Sequence, residues 1–357
     1  MALVDAYGPI NMIEPDLNWF LRNETGADFL PGSFLRPAGS AVREDTLYLF
    51  ASDGFTDRAL VLGGYGFLYD GFSLYDGIVQ SVAEVDTRTN TIVWRAEDVS
   101  LRASAVYRAV ETLSPADDAN VFAAALNGAD EITLEAPGST AFGSTGADVV
   151  RIYGDGALVY GQDGNDYFVR AASGNWIDGG RDYDTVEYLG PRSSIRVDLA
   201  SDGRVYVAAG TATDTLVSIE RVQTTDGAYL YGLAEPFARA AYLLYGGAFD
   251  RTPDEGGFLF WTNQLARGAT VDGVAAAFIA SPEFASLYGT RVSDERFVDL
   301  LYQNVLGRGG DAQGVAYWDD YLASGRGDRA DVLANFTLLP EFGQRVAPDI
   351  VDGYWVV

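Results

Sequence analysis

The sequence predicts a multidomain β + α protein: a strand-rich N-terminal region, a central coil of short strands, and an all-helical C-terminal region. Three observations carry that expectation. An apolar residue recurs every nine positions through the middle of the chain, alternating apolar and polar runs broken by Gly, Asp and Asn precede it, and a helical pattern repeated at an offset of 57 follows it. At 357 residues the chain exceeds one ordinary core, and its 48% apolar and 13% aromatic content supplies material for more than one.

Composition excludes several chemistries. There are 51 acidic residues against 24 basic ones, a formal charge of −27, and every basic residue is Arg; Lys, His and Cys are absent. A disulfide framework, a thiolate zinc site, a Cys nucleophile, a Schiff-base or P-loop lysine and a histidine general base are therefore ruled out. A surface this acidic repels phosphate backbones and anionic lipid, so nucleic acid and membrane surface are not expected partners. No run of eighteen apolar residues is present, so no membrane span is expected. Hard cations bound through oxygen are the natural counter-ions.

Residues 1–124 read as mainly β. TLYLFA, RALVLGGYGFLYD, GIVQSVAEVD and TIVWRAEDVSLRAS are strand-like and separated by turn residues. Tyr65, Phe67, Tyr69, Phe72 and Tyr75 form an aromatic cluster, read first as core packing and second as a carbohydrate-stacking face. Glu44 with Asp45, and Glu84 with Asp86, are the carboxylate pairs a hydrolase would draw on; solvated surface charge is the default reading.

From Ala125 the chain divides into seven nonapeptides, ALNGADEIT, LEAPGSTAF, GSTGADVVR, IYGDGALVY, GQDGNDYFV, RAASGNWID and GGRDYDTVE, ending at Glu187. Their eighth positions are all apolar: Ile132, Ala141, Val150, Val159, Phe168, Ile177 and Val186. A short strand plus a tight turn, coiled so that one side chain per strand points inward, produces this period; neither a helix nor a plain alternating strand does. Sixth positions carry a longer period, with Asp130, Asp148, Asp166 and Asp184 in alternate units, 18 residues apart. If two nonapeptides make one coil, these aspartates stack along one edge, and the opposite edge has lost the pattern. Carboxylates stacked about 4.8 Å apart repel unless something positive lies between them. Only three Arg face eleven acids in these units. A calcium ion, taking about six to eight oxygens from carboxylates and turn carbonyls, meets that need.

The units resemble the RTX (repeats-in-toxin, hemolysin-type) nonapeptide family, whose pattern is G-G-x-G-x-D-x-U-x with U a large apolar residue. GQDGNDYFV lacks only the second Gly, GGRDYDTVE has Asp182 for the third, and GSTGADVVR keeps Gly143, Gly146 and Asp148. The resemblance implies a parallel β-roll holding calcium between successive turns of one edge. Asp130, Asp148, Asp166 and Asp184 would be its side-chain ligands, and Gly143, Gly161 and Gly179 its carbonyl-presenting residues. Asp163 and Asp182 would be accessory ligands, and the gaps between four stacked aspartates suggest about two or three ions.

Residues 188–233 read as capping strands, with a hairpin around Asp202–Gly203, so that 125–233 forms one roll with its cap. Residues 235–345 turn helical. YGGAFDRTPDEGGFLFWTNQLARG (245–268) aligns with YQNVLGRGGDAQGVAYWDDYLASG (302–325), and SPEF (281–284) with LPEF (339–342). Asp254 and Asp311 are placed to N-cap the helices carrying Trp261 and Trp318, and Arg251 and Arg308 to pair with those Asp residues. This part resembles the uncharacterised (DUF-type) helical domain that recurs beside RTX repeats in secreted bacterial proteins.

The tail 346–357, with Asp349 and Asp352 ahead of Tyr354, Trp355, Val356 and Val357, reads as a terminal strand on its residues alone. Together with the repeats and the lack of an N-terminal signal pattern, it looks like the C-terminal export signal of a type I secretion substrate. The function expected is that of a secreted, calcium-binding, non-enzymatic protein whose roll folds on meeting extracellular calcium. Its expected partners are calcium and the type I secretion machinery. The alternatives are a surface adhesin or surface-layer-type component that binds glycan or protein, and a secreted Asp/Glu-dependent hydrolase with its site in 1–124.

Overall fold

The computed structural model of the chain describes residues 1–34, 44–112, 114–200, 202–210, 212–230, 236–347 and 353–356. Two compact units emerge, Met1–Asp226 and Gly227–Val357.

The first unit opens with β1 (Leu3–Ala6), α1 (Asn18–Arg22), β2 (Glu24–Phe34), β3 (Glu44–Ser52), β4 (Asp57–Tyr69), β5 (Leu74–Asp86) and β6 (Thr91–Arg102). Strands β2 to β6 form an antiparallel meander. Two of its turns are built alike, because an Asp carboxylate can mimic a backbone turn. Asp53 accepts from Phe55 and Thr56 N–H at 2.9 and 2.7 Å, and Asp70 from Phe72 and Ser73 N–H at 2.9 and 2.8 Å. Two helices follow, α2 (Ala103–Glu111) and α3 (Pro115–Ala125), and with α1 they pack on the meander. The expectation of a mainly β region misses all three. The available signal was the apolar spacing of Val106, Tyr107 and Val110, all buried, and Pro115 behind Ser114 at a helix start.

The nonapeptides then alternate between two sheets. Strands β7 (Glu131–Leu134), β9 (Val149–Ile152), β11 (Tyr167–Arg170) and β13 (Thr185–Tyr188) stack in parallel on one side. On the other side lie β8 (Thr140–Thr145), β10 (Leu158–Asp163) and β12 (Trp176–Arg181). Partners are 18 residues apart, as in Val150↔Phe168 and Val159↔Ile177, so one coil consumes two units. All seven eighth-position residues are 0% exposed, which is why the nine-residue period exists.

After Tyr188 the chain leaves the coil for the expected hairpin, β14 (Ile195–Leu199) and β15 (Val205–Ala209), around Asp202–Gly203. It re-enters with β16 (Ala212–Val217) parallel to β12 and β17 (Arg221–Thr224) parallel to β13. At the other end the coil begins with β1, which lies parallel to β7 and antiparallel to β6, so the meander and the coil share one sheet.

The second unit comprises β18 (Gly227–Leu230), eight helices among the described residues, and β19 (Tyr354–Val356), antiparallel to β18. The helices are α4 (Pro236–Phe249), α5 (Glu255–Ala266), α6 (Val271–Ile279), α7 (Pro282–Tyr288), α8 (Asp294–Asn304), α9 (Ala312–Ala323), α10 (Arg329–Thr337) and α11 (Pro340–Arg345). The repeat has a structural reason at each matched position. Asp254 and Asp311 cap α5 and α9, accepting from Gly257 and Gly314 N–H at 2.9 and 2.8 Å. The main partners of Arg251 and Arg308 differ from those expected. Each makes a two-pronged pair with the Glu of the later motif, Glu283 (2.7 and 3.1 Å) and Glu341 (2.7 and 2.9 Å), while Asp254 and Asp311 stand 3.7 and 3.8 Å away. A planar fork facing a carboxylate fixes geometry better than an Asp already engaged as a cap. Of the tail, Asp349 and Asp352 lie outside the described residues; Tyr354 is buried, its ring 5.1 Å from that of Tyr242.

Candidate metal centre

One edge of the coil is formed by the turns that run into β7, β9, β11 and β13. Asp130, Asp148, Asp166 and Asp184 end these turns, stacked in a file and 0–3% exposed. The file is a hydrogen-bonded ladder. The N–H of Asp130 donates to Asp148 Oδ1 (2.7 Å), that of Asp148 to Asp166 Oδ1 (2.9 Å), and that of Asp166 to Asp184 Oδ1 (2.8 Å). Ala2 N–H starts the file by donating to Asp130 Oδ1, and Asp184 N–H ends it on Glu220 Oε2 at 2.9 Å.

The second oxygens behave differently. Oδ2 of Asp130, Asp148, Asp166 and Asp184 is buried in each case and has no hydrogen-bond partner. A buried carboxylate oxygen without a donor is costly, so four in a file require a common reason. Those of Asp148, Asp166 and Asp184 face glycines. A Cβ added to Gly161 would lie 2.0 Å from Asp166 Oδ2 and 2.4 Å from the carbonyl oxygen of Gly179; one added to Gly143 would lie 2.2 Å from Asp148 Oδ2 and 2.9 Å from Gly161 O. Parallel pairing also passes over these glycines, joining Tyr160 to Phe142 and Asp178, and Gln162 to Ser144 and Gly180. The gaps at Gly143 and Gly161 thus present a bare carboxylate oxygen and a glycine carbonyl, with no side chain to close the space.

Burial lifts the carboxyls out of their ordinary range, and the neighbouring carboxylates add to it. Asp148 is pushed up to about 7, Asp166 to about 6 and Asp184 to about 8, against the lowering pull of the N–H bond each accepts. Asp130 is raised in the same way, opposed by the Ala2 N–H and the N-terminal ammonium. The accessory candidates sit apart from this file. Asp163 is exposed and pairs with Arg181 at 3.3 Å, and Asp182 is exposed with φ +76° where the other three units of this edge have glycine. Among the described residues no three carboxylates converge on one point, so any cation here would be held by one or two carboxylates and several backbone carbonyls.

The opposite edge has its own pattern, which corrects the expectation that it had lost one. Small residues Ala136, Gly154 and Ala172 recur at third positions, and Gly138, Gly156 and Gly174 at fifth positions with φ +70°, +70° and +75°. Ser139 and Asn175 stand where the acids stand on the other edge, and both are neutral donors. Ser139 Oγ donates to Ala136 O at 2.9 Å and Asn175 Nδ2 to Ala172 O at 2.9 Å. Asn175 Oδ1 accepts from Ala157 N–H at 3.0 Å, the same rung-to-rung bond. Beyond it Asp214, 0% exposed, accepts from Asn175 N–H (2.9 Å), Arg170 Nε (2.8 Å) and Tyr188 OH (3.0 Å).

The hydrolase carboxylates are engaged elsewhere. Glu84 accepts from Arg58 (3.0 Å) and Trp94 Nε1 (2.7 Å), Asp86 pairs with Arg58, and Asp45 accepts from Gly32 and Phe67 N–H, both at 2.9 Å. The side chain of Glu44 lies outside the described residues. A groove of about 620 Å³ lies on the meander, lined by Tyr48, Phe50, Val61, Val85 and Ile92 with Asn90, Arg95 and Glu97. Two aromatic rings of its lining, Tyr48 and Phe50, are parallel to within 8°.

Residues 275–346 match the family described as Domain of unknown function (DUF4214), a likeness that takes in the second helical repeat and the end of the first; no nonapeptide-repeat family matches the coil. No curated protein matches the chain.

Proposed function

We propose that the acidic edge of the coil is a calcium-binding ladder of the RTX type, and that the protein is a secreted, non-enzymatic one whose coil is completed by extracellular calcium. The observation that supports this best is the contrast between the edges. Where the opposite edge places Nδ2 or Oγ to donate to a turn carbonyl, this edge places an oxygen that has nothing to donate. A proton or a cation is then needed between two acceptors, and a hard divalent ion suits a set made wholly of oxygens. Asp148, Asp166 and Asp184 would hold it with the carbonyls of Gly143, Gly161 and Gly179; Asp130 would serve the first gap, and Asp163 and Asp182 would add only outer charge.

The ion would supply positive charge and close packing between coils. Calcium modules of extracellular proteins fill at about 10⁻⁴–10⁻³ M, and each site adds about 2.7 kcal/mol at 100-fold excess over its dissociation constant. In a calcium-poor cytosol the file of carboxylates loosens the coil, which suits export by type I secretion machinery. Circular dichroism and thermal melts in calcium and in excess chelator test the reading. Raised β content and melting temperature with calcium, a rise that is smaller in Asp148→Asn/Asp166→Asn, are expected; identical curves for wild type in calcium and in chelator would remove it.

The aromatic groove on the meander favours a second role beside calcium, attachment to an extracellular glycan, since parallel rings flanked by Asn90, Arg95 and Glu97 suit sugar faces and hydroxyls. Loss of glycan retention in Tyr48→Ala, with calcium-dependent melting intact, is its expected mark.

A further inference from the structure

The acidic ladder continues past the last nonapeptide, in a segment with no recognisable repeat. Val217 pairs with Asp178 and Arg221 with Thr185, so the turn Ser218–Ile219–Glu220 occupies the place that residues 179–184 occupy one coil earlier. It is three residues shorter, yet two features persist. Glu220 Oε2 accepts the N–H of Asp184 at 2.9 Å, just as Asp184 accepts that of Asp166 at 2.8 Å. The Ser218 carbonyl stands over Gly179 as the Gly179 carbonyl stands over Gly161: an added Cβ would meet them at 2.2 and 2.4 Å. Asp184 Oδ2, buried and without a hydrogen-bond partner, faces the same space, 2.3 Å from that Cβ position.

We propose that Asp184, the Gly179 and Ser218 carbonyls and Glu220 form a further calcium site closing the end of the coil. This rests on the calcium reading above and adds one gap to those between the stacked aspartates. The chemistry is that of the other gaps, a bare carboxylate oxygen and backbone carbonyls with no donor between them, with a glutamate replacing aspartate on the far rung. Its acid is one methylene longer where the turn is three residues shorter. Two neighbours hold the turn in place: Ile219 is 2% exposed, and Asp178 hydrogen-bonds the Ser218 side chain and the Gly180 N–H.

The test is calcium stoichiometry of the full chain, by calorimetric titration and equilibrium dialysis, with far-UV circular dichroism of the calcium-saturated protein as the check on folding. Glu220→Gln keeps an acceptor for Asp184 N–H and removes the charge; it is expected to bind one ion fewer than wild type. Gly179→Ala, which fills the space from the other rung, is expected to lose the same ion. Calcium bound by wild type with unchanged stoichiometry in both Glu220→Gln and Gly179→Ala would overturn this site alone. Wild type binding no calcium would overturn it together with the reading on which it rests.

Discussion

The two edges of the coil solve one problem in two ways. Both must join strands every 18 residues, and both use a side-chain oxygen to accept an N–H from the neighbouring rung, Asp166 and Asp184 on one side and Asn175 and Asp214 on the other. They part at the second polar atom. Asn175 Nδ2 and Ser139 Oγ are donors and find a carbonyl, and Asp214 finds Arg170 and Tyr188; Oδ2 of the four stacked aspartates finds nothing. Within the protein one edge completes these second-atom contacts, and the other leaves them open. The difference amounts to a side-chain donor at Ser139 and at Asn175, with Ala157 standing between them.

Breaking the complete edge should have the largest effect. Asp214→Asn removes the charge opposite Arg170, whose side chain is 12% exposed; breaking such a largely buried pair costs up to about 3–5 kcal/mol, and urea melts should show that loss equally with calcium and with chelator. Asp166→Asn exchanges the acidic solution for the neutral one. It should stabilise the calcium-free coil by about 1–3 kcal/mol, the cost of one unsatisfied buried polar group, while lowering the number of ions bound. A melting temperature in chelator below that of wild type would count against it.

The glycines sharpen the contrast further. Gly161→Ala drives a Cβ against Asp166 Oδ2 and Gly179 O, whereas at Gly156, φ +70°, nothing lies within 4 Å. Each should cost about 1–3 kcal/mol, by overpacking in the first case and left-handed strain in the second. Only Gly161→Ala should lose calcium as well, which a titration of the two variants decides.

Smallest and most graded is the effect of pH. Burial holds Asp148, Asp166 and Asp184 above the unfolded value, at about 7, 6 and 8. The folded, calcium-free coil therefore binds more protons than the unfolded chain. Its contribution to stability is fully present below about pH 4 and is lost as pH rises through those values. Calcium affinity should move the other way, rising over the same interval as the carboxyls deprotonate. Melts at about pH 5 and pH 8.5, with calcium and with chelator, should cross in order; parallel behaviour would mean that these carboxyls are not the groups calcium meets.

The stacking of Asp130, Asp148, Asp166 and Asp184 was legible because the chain repeats it at a fixed interval, and strict alternation has no other simple cause. What escaped detection is whatever breaks the interval. Ser218 and Glu220 follow an inserted hairpin and use a shorter turn with a different acid. The neutral edge repeats small residues and glycines, which carry no chemistry of their own to mark it in sequence. Leu3–Ala6 lies more than a hundred residues from its partner strand and has no periodicity to betray it. In the helical unit the matched Arg, Asp, Gly and Glu positions stood out, but only contact geometry assigns Arg251 to Glu283 before Asp254, since both acids fall within reach by sequence.

The placement of Leu3–Ala6 between β6 and β7 has a mechanical consequence. Among the described residues those four are the only seam joining meander to coil within their sheet, running against one neighbour and along the other. Clipping them would leave two raw strand borders facing the same gap, each with a row of amides seeking partners, and such borders recruit other chains. A trimmed protein should therefore clump well before it melts, and protecting the first handful of residues matters more than their number suggests.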